Sequence, residues 1–178
     1  MAIIRPSNKF RGRRYPHGRH EGKLIELIIL KYPDYINWLS RRAQSQGLPW
    51  LYTYIHNCIT AFDALPFVSR CRGSIDGRRC ANPVTRFTLY PNAMTPYCWC
   101  ATCDPYQQGA AKTLTEATGY HEALFHIWAT TSRNRAYYRN VIKGLARAKG
   151  FKGSFTEKKV IKFFYGPYAE PNPPEEGV

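Results

Sequence analysis

The chain is 178 residues long, 44% apolar and 15% aromatic, a composition that suits a folded core in one domain or two small ones and excludes a wholly disordered protein. No window approaches the roughly 18 consecutive apolar residues of a transmembrane helix. The first residues lack the basic start, apolar run and small-residue cleavage site of a signal peptide, so a cytoplasmic location is expected.

The formal net charge of +14 is segregated. Residues 1–24 carry seven Lys/Arg against one acid, a net of +6; residues 133–162 carry ten against one, a net of +9; the rest balances to −1. Charge so placed points to a polyanionic partner, nucleic acid first.

The first ten residues read as a basic arm, and Arg11–Lys23, with Gly12, Pro16, Gly18 and Gly22, as turns or a hairpin. Leu24–Leu30 is apolar but short, and Glu26 interrupts it. Pro33 suits a first helical position, with Tyr35, Trp38 and Leu39 packing and Gly47 as the stop. Pro49 opens the next helix, where Leu51, Tyr54, Ile55, Cys58, Ile59, Phe62 and Leu65 recur at helical spacing. Cys58 lies on that stripe and reads as a core thiol.

Residues 68–105 change character. Short extended stretches, Val84–Tyr90 and around Tyr97, alternate with turn residues as in a zinc ribbon, and five of the six cysteines fall here. Their spacing is Cys71-x8-Cys80, 17 residues, then Cys98-x-Cys100-x2-Cys103. A structural zinc site needs four thiolate or imidazole ligands at tetrahedral corners. The ligand set read here is Cys71, Cys80, Cys100 and Cys103, with the choice between Cys98 and Cys100 open. The wide Cys71–Cys80 loop closes if residues 73–79 bulge outward, which Gly73 and Gly77 permit. In a reducing compartment such a cluster favours metal over disulfides, so structural Zn²⁺ is the expected cofactor. No H-x-E precedes the C-x2-C, so a deaminase arrangement is absent. Arg70, Arg72, Arg78, Arg79 and Arg86, opposed only by Asp76, surround the cluster and suit phosphate contact.

Thr113-Leu-Thr-Glu116 has the form of a capping box, which predicts a helix with Leu114, Ala117, Leu124, Phe125 and Trp128 on its buried face. Ser132 is the expected cap of a helix running to Lys149 and ended by Gly150. On it Arg135, Arg139, Lys143 and Arg147 are four apart and form a cationic ridge beside Tyr138, Val141, Ile142 and Leu145. Ser154-Phe-Thr-Glu157 is a second capping box, opening a short helix with Val160, Ile161 and Phe164 inward. Lys149, Lys152, Lys158, Lys159 and Lys162 extend the patch, and the two helices around Gly150–Gly153 have the outline of a helix-turn-helix. The interleaved Tyr137, Tyr138, Phe151, Phe155 and Tyr165 read mostly as core, with base stacking as the alternative. Residues 169–178 form an acidic, proline-rich tail.

Tyr15-Pro-His-Gly-Arg-His-Glu-Gly-Lys-Leu24, followed by Glu26-Leu27 and Tyr32-Pro-Asp-Tyr-Ile-Asn-Trp-Leu39, resembles the exodeoxyribonuclease X-like C-terminal domain. That family shows a G-[KR]-[HY]-x-G-K turn, a short helix, then P-x-Y-[IL]-x-W-L. Gly18, Arg19, His20, Gly22, Lys23, Pro33, Tyr35, Trp38 and Leu39 fill those positions. The module accompanies nucleases and other DNA-handling proteins, including those of phages and mobile elements, so the resemblance implies nucleic-acid association. It does not imply activity, because the family's exonuclease chemistry sits in a separate domain with a metal-binding D-x-E, a motif this chain lacks. In the turn, His20 and Trp38 are expected to pack together and Lys23 to stay free.

The histidines His17, His20, His56, His121 and His126 offer bases, but no G-x-S-x-G, Walker or G-x-G-x-x-G motif accompanies them. The expected fold is α+β, mainly helical with a small inserted β zinc ribbon. The expected divisions are a module at 1–67, the ribbon at 68–108, a basic helical module at 109–168 and the tail at 169–178. The expected function is non-catalytic nucleic-acid binding, as an accessory factor in phage or mobile-element DNA or RNA handling. Phosphate contacts are expected from Arg13, Arg14, Lys23, Arg78, Arg79, Arg135, Arg139, Lys143, Arg147 and Lys158. The alternatives are a subunit or inhibitor acting on a nucleoprotein complex, and a nuclease. No membrane or small-molecule substrate is expected.

Overall fold

The computed structural model describes residues 12–45, 48–89, 97–103, 115–117, 119–130 and 135–166. Among these are six helices, a two-stranded sheet and a three-stranded sheet, all pairings antiparallel, so the fold is α+β and mainly helical. No helix among the described residues is long and apolar enough to cross a membrane. The chain divides into two compact units: the residues up to Ala64 together with those from Gly153 onward, and Leu65–Lys152. The basic arm at 1–10, the tail at 169–178, Gly47, Thr113, Leu114 and Ser132 lie outside the described residues, as do the side chains of Trp128, Arg135, Tyr137 and Tyr138.

Unit 1 begins with the expected hairpin. The Tyr15 amide donates to the Lys23 carbonyl at 2.8 Å and Arg14 bridges Leu24. The reversal passes through a short 3-10 turn at Gly18–His20, and Gly18 and Gly22 both sit at positive φ. Helix α1 (Ile25–Lys31) buries every residue from Ile25 to Leu30 and packs on α2 (Pro33–Ser45), α3 (Pro49–Ala64) and α6 (Glu157–Tyr165). A helix apolar nearly all round needs cover on all sides, and these three supply it. Pro33 opens α2 as the sequence implies. On α3, Leu51, Tyr54, Ile55, Cys58, Ile59 and Phe62 are buried; Leu65 falls past the helix end and is half-buried. Phe62 meets Phe163 and Phe164 of α6 at ring separations of 6.1 and 6.2 Å.

Glu26 is fully buried in this core. Its Oε1 accepts hydrogen bonds from the hydroxyls of Tyr165 (2.5 Å) and Tyr54 (2.6 Å) and from the Gly12 amide (3.1 Å). Burial raises its carboxyl above the ordinary 4.5, partly opposed by the Tyr165 and Tyr54 hydroxyls. Cys58 is the core thiol anticipated, 3.8 Å from the Tyr165 oxygen and pushed well up by burial.

His20 packs on Tyr32 and Tyr35, at ring separations of 4.4 and 4.5 Å, and the Trp38 ring lies against Tyr35 at 5.2 Å. Two expectations for this unit are corrected. Lys23 is not free: its Nζ lies 3.2 Å from His20 Nδ1 and 5.3 Å from the Tyr32 ring centre. The Ser154 capping box does not form. Helix α6 starts at Glu157 with Thr156 as its N-cap, and the Glu157 carboxylate instead takes a two-pronged grip from the Arg14 guanidinium, both contacts at 3.2 Å.

In unit 2, β1 (Ser74–Ile75) pairs with β2 (Arg78–Arg79), and β3 (Arg86–Leu89) is flanked by β4 (Tyr97–Trp99) and β5 (Thr115–Ala117). Helices α4 (Tyr120–Thr130) and α5 (Arg135–Ala148) pack together. Helix α5 ends in a Schellman motif: Phe151 N–H donates to the Ala146 carbonyl, Gly150 N–H to the Arg147 carbonyl, and Gly150 takes φ +99.

The Thr113 capping box is corrected here: Thr115, Glu116 and Ala117 pair with Leu89, Thr88 and Phe87, so the segment is a strand. Gly119 breaks it, and the helix begins at Tyr120. Leu124 is buried but Phe125 is 69% exposed, because the buried face runs through Tyr120, Ala123 and Leu124 at i, i+3 and i+4, about 100° away from Phe125. Lys149 leaves the basic patch. It is buried, its Nζ donates to the Leu65 carbonyl at 2.6 Å and lies 4.6 Å from the Phe67 ring centre. Helices α5 and α6 belong to different units.

Candidate metal centre and basic surfaces

The sulfurs of Cys71, Cys80, Cys100 and Cys103 all lie within 4.8 Å of one another, and all four residues are buried. Zinc–thiolate bonds of about 2.3 Å at tetrahedral angles place sulfurs about 3.8 Å apart. The Cys80–Cys100 separation is 3.8 Å. A disulfide would bring them to about 2 Å, and all six cysteines are free. The four thiols therefore fit a metal ion in a closed, all-sulfur site.

Local backbone explains the convergence. Residues 74–79 form a hairpin whose two-residue turn is Asp76-Gly77, both at positive φ (51° and 74°). Asp-Gly at that position is the preferred chemistry for this tight turn. The hairpin draws Cys80 back to Cys71, with the Cys80 amide donating to the Gly73 carbonyl at 2.9 Å. Strand β4 ends at Trp99, leaving Cys100 to open the turn that holds Cys103.

Amides aim at the sulfurs: Gly73 N–H at Cys71 (3.4 Å), Asn82 N–H at Cys80 (3.4 Å), Cys103 N–H at Cys100 (3.3 Å) and Cys100 N–H at Cys71 (3.3 Å). Such donors stabilise thiolates. At Cys100, burial pushes the thiol up, but the Cys103 and Thr102 amides and the Asn82 side chain overcome it and bring it down to about 6. Cys103 is pushed up to about 12 by burial and by the neighbouring thiols, and burial also raises Cys71.

The open choice between Cys98 and Cys100 resolves to Cys100. Cys98 sits within β4 opposite Phe87, outside the cluster, and burial raises its thiol. Two residues support the site: Asn82, which was not read from the sequence, and Gly73, which was read only as a loop glycine. Asn82 places its side-chain amide 3.7 Å from the Cys100 sulfur. Gly73 is pressed against the site: a Cβ there would lie 2.3 Å from the Cys103 Cβ and 2.6 Å from its sulfur. Gly73→Ala is accordingly expected to weaken metal affinity at least roughly tenfold, since outer-shell changes at metal sites cost about 10–100-fold. Competition with a chromogenic chelator measures it, and unchanged affinity would contradict the packing.

The remaining residues expected at a site fall in both units. In unit 2, Arg78 and Arg79 are exposed on β2, Arg139 and Lys143 are half-buried on α5 and Arg147 is exposed. In unit 1, Arg13 is exposed with its guanidinium 5.4 Å from the Trp50 ring centre, Arg14 is held by Glu157, Lys23 by His20 and Tyr32, and Lys158 is exposed on α6. The Arg135 side chain is outside the described residues.

These features define a helical α+β protein with a four-cysteine candidate metal centre. Compared with protein-family models, curated proteins and solved structures, the chain matches none, and the likeness to the exodeoxyribonuclease X-like domain gains no support there.

Proposed function

We propose that this is a non-catalytic nucleic-acid-binding protein in which a structural zinc ion presents a basic hairpin to the phosphate backbone. The observation that carries the reading is the hairpin β1–β2. Every residue from Ser74 to Arg79 is exposed, Arg78 and Arg79 form one strand, and Arg70 and Arg72 stand at its foot. Two of the four thiols, Cys71 and Cys80, flank it, so the ion that joins them fixes its base. The donor set favours zinc: four soft thiolates leave no coordination position for a substrate, as in structural rather than catalytic sites. The reading extends to an accessory role in phage or mobile-element DNA or RNA handling, which rests on the sequence of residues 15–39 alone.

Binding of labelled DNA and RNA, followed by fluorescence anisotropy across a salt series, tests the reading. Tight binding that weakens steeply with salt is expected. The double variant Arg78→Ala/Arg79→Ala should lower the salt slope by about two, since each phosphate contact adds close to one. Binding that ignores salt and both arginines would overturn it, and capture of a protein partner without nucleic acid would point to the inhibitor or subunit reading. Metal analysis of the same preparation should return zinc; iron would overturn the assignment of the ion.

A further inference from the structure

Unit 1 exposes two tryptophans, Trp38 at 46% and Trp50 at 38%. Each carries an arginine over its ring: Arg42 lies 5.0 Å from the Trp38 ring centre and Arg13 lies 5.4 Å from that of Trp50. The pairs are joined through the hairpin strand. The Arg13 amide donates to the Tyr54 hydroxyl on α3, and two residues on, the Tyr15 hydroxyl accepts from Tyr35, whose ring lies 5.2 Å from that of Trp38 at a 30° tilt. Beyond Tyr35 come His20 and Tyr32, with Lys23 and Lys31 5.3 and 5.8 Å from the Tyr32 ring centre.

Large exposed indoles are costly unless something covers them. Here the cover has a definite chemistry. A guanidinium lying on an indole presents a second flat, cationic surface, and such planes stack on nucleobases. Arg13, Arg42 and the exposed Lys31 supply positive charge of the kind that suits the phosphates of the strand that carries those bases. A base stacked between its neighbours in a duplex offers no free face, so this arrangement suits the unpaired bases of single strands rather than duplex.

We propose that the Trp38–Arg42 and Trp50–Arg13 pairs form a stacking platform for the unpaired bases of a single-stranded polynucleotide. The inference rests on the nucleic-acid reading above but on a different unit and different residues. Stacking of this kind addresses base faces and not the 2′-hydroxyl, so single strands of DNA and RNA bind alike.

The test uses the full chain with dT15, rU15 and a 15-base-pair duplex, read by anisotropy and by quenching of tryptophan fluorescence. Both single strands are expected to bind about tenfold or more tighter than the duplex and to quench the indole emission. Trp38→Ala/Trp50→Ala should abolish the preference and most of the quenching while leaving the salt-sensitive duplex binding in place. Trp38→Phe/Trp50→Phe should restore the preference without most of the quenching, since only Trp99 and Trp128 then emit, which separates lost stacking from lost folding. Equal affinity for strand and duplex in the wild type, or a preference that survives both alanines, would overturn the platform and leave the hairpin reading standing. Absence of binding to all three probes would overturn both.

Discussion

Cys100→Ser is expected to yield protein without bound metal and without a folded unit 2, while unit 1 keeps its helices. The thiolate lost is the one best prepared to bind: its amide donors hold it at about 6, so it is mostly ionised at neutral pH. Its sulfur also receives the Cys103 amide and the Asn82 side chain, so the turn 100–103 loses its organiser together with the ion. Structural zinc contributes on the order of 10–16 kcal/mol of apparent binding free energy at neutral pH, against a net stability of about 5–15 kcal/mol for a whole domain. Losing the site therefore exceeds what the short strands of unit 2 can offset. Mass spectrometry of metal content and circular dichroism read the result. Cys98→Ser is the control, expected to retain its metal because Cys98 lies outside the cluster. The reverse pattern would reassign the ligand. Binding also has a pH sign. Cys103, held near 12 in the metal-free site, gives up its proton when the ion enters, so affinity falls as pH falls.

The second large effect belongs to unit 1. Glu26→Leu is expected to destabilise it by about 3 kcal/mol or more, because two tyrosine hydroxyls and the Gly12 amide lose their acceptor and each orphaned donor costs roughly 1–3 kcal/mol. The triple variant Glu26→Leu/Tyr54→Phe/Tyr165→Phe should recover part of that loss: it removes the two hydroxyl donors with the acceptor, but the Gly12 amide still loses its carboxylate and the Arg13 amide loses the Tyr54 oxygen. Denaturant unfolding compares the two; a triple variant weaker than the single would refute the account. The carboxyl also carries a pH dependence. Its folded value is raised above 4.5 by burial, so the protonated form favours folding. The contribution is fully present below about pH 4.5 and fades as pH rises through the raised value. Glu26→Gln, which cannot ionise, should remove that part of the slope.

Periodicity showed the α3 stripe and the inward face of α6, because each reports on one face of one helix. Cysteine spacing likewise outlined the metal ligands, but it did not separate Cys98 from Cys100: only the end of β4 after Trp99 decides which sulfur reaches the others. What sequence reading missed depends on partners distant along the chain. Thr115 and Glu116 read as a capping box until β3 claims them as a strand, and Glu157 read as a cap until Arg14 takes its carboxylate. Glu26 looked like an interruption in an apolar run; the two hydroxyls that make it tolerable come from α3 and α6. The Asp76-Gly77 turn was a different case, since its signal was local and present.

The order in which the chain emerges during synthesis gives the two-unit division a further meaning. Unit 2 is continuous, so once Lys152 has left the ribosome it holds all four thiols and can take its metal and fold. Unit 1 cannot close then: α1 and α3 are made first, but the helix that covers them arrives last. Until Tyr165 emerges, Glu26 lacks one of its hydroxyl donors, and Phe62 lacks its contacts with Phe163 and Phe164 until those residues are made. A nascent chain stalled before α6 would therefore display an apolar, chaperone-binding face on unit 1, and truncation at that point should be far more damaging than the loss of residues 157–178 alone would suggest.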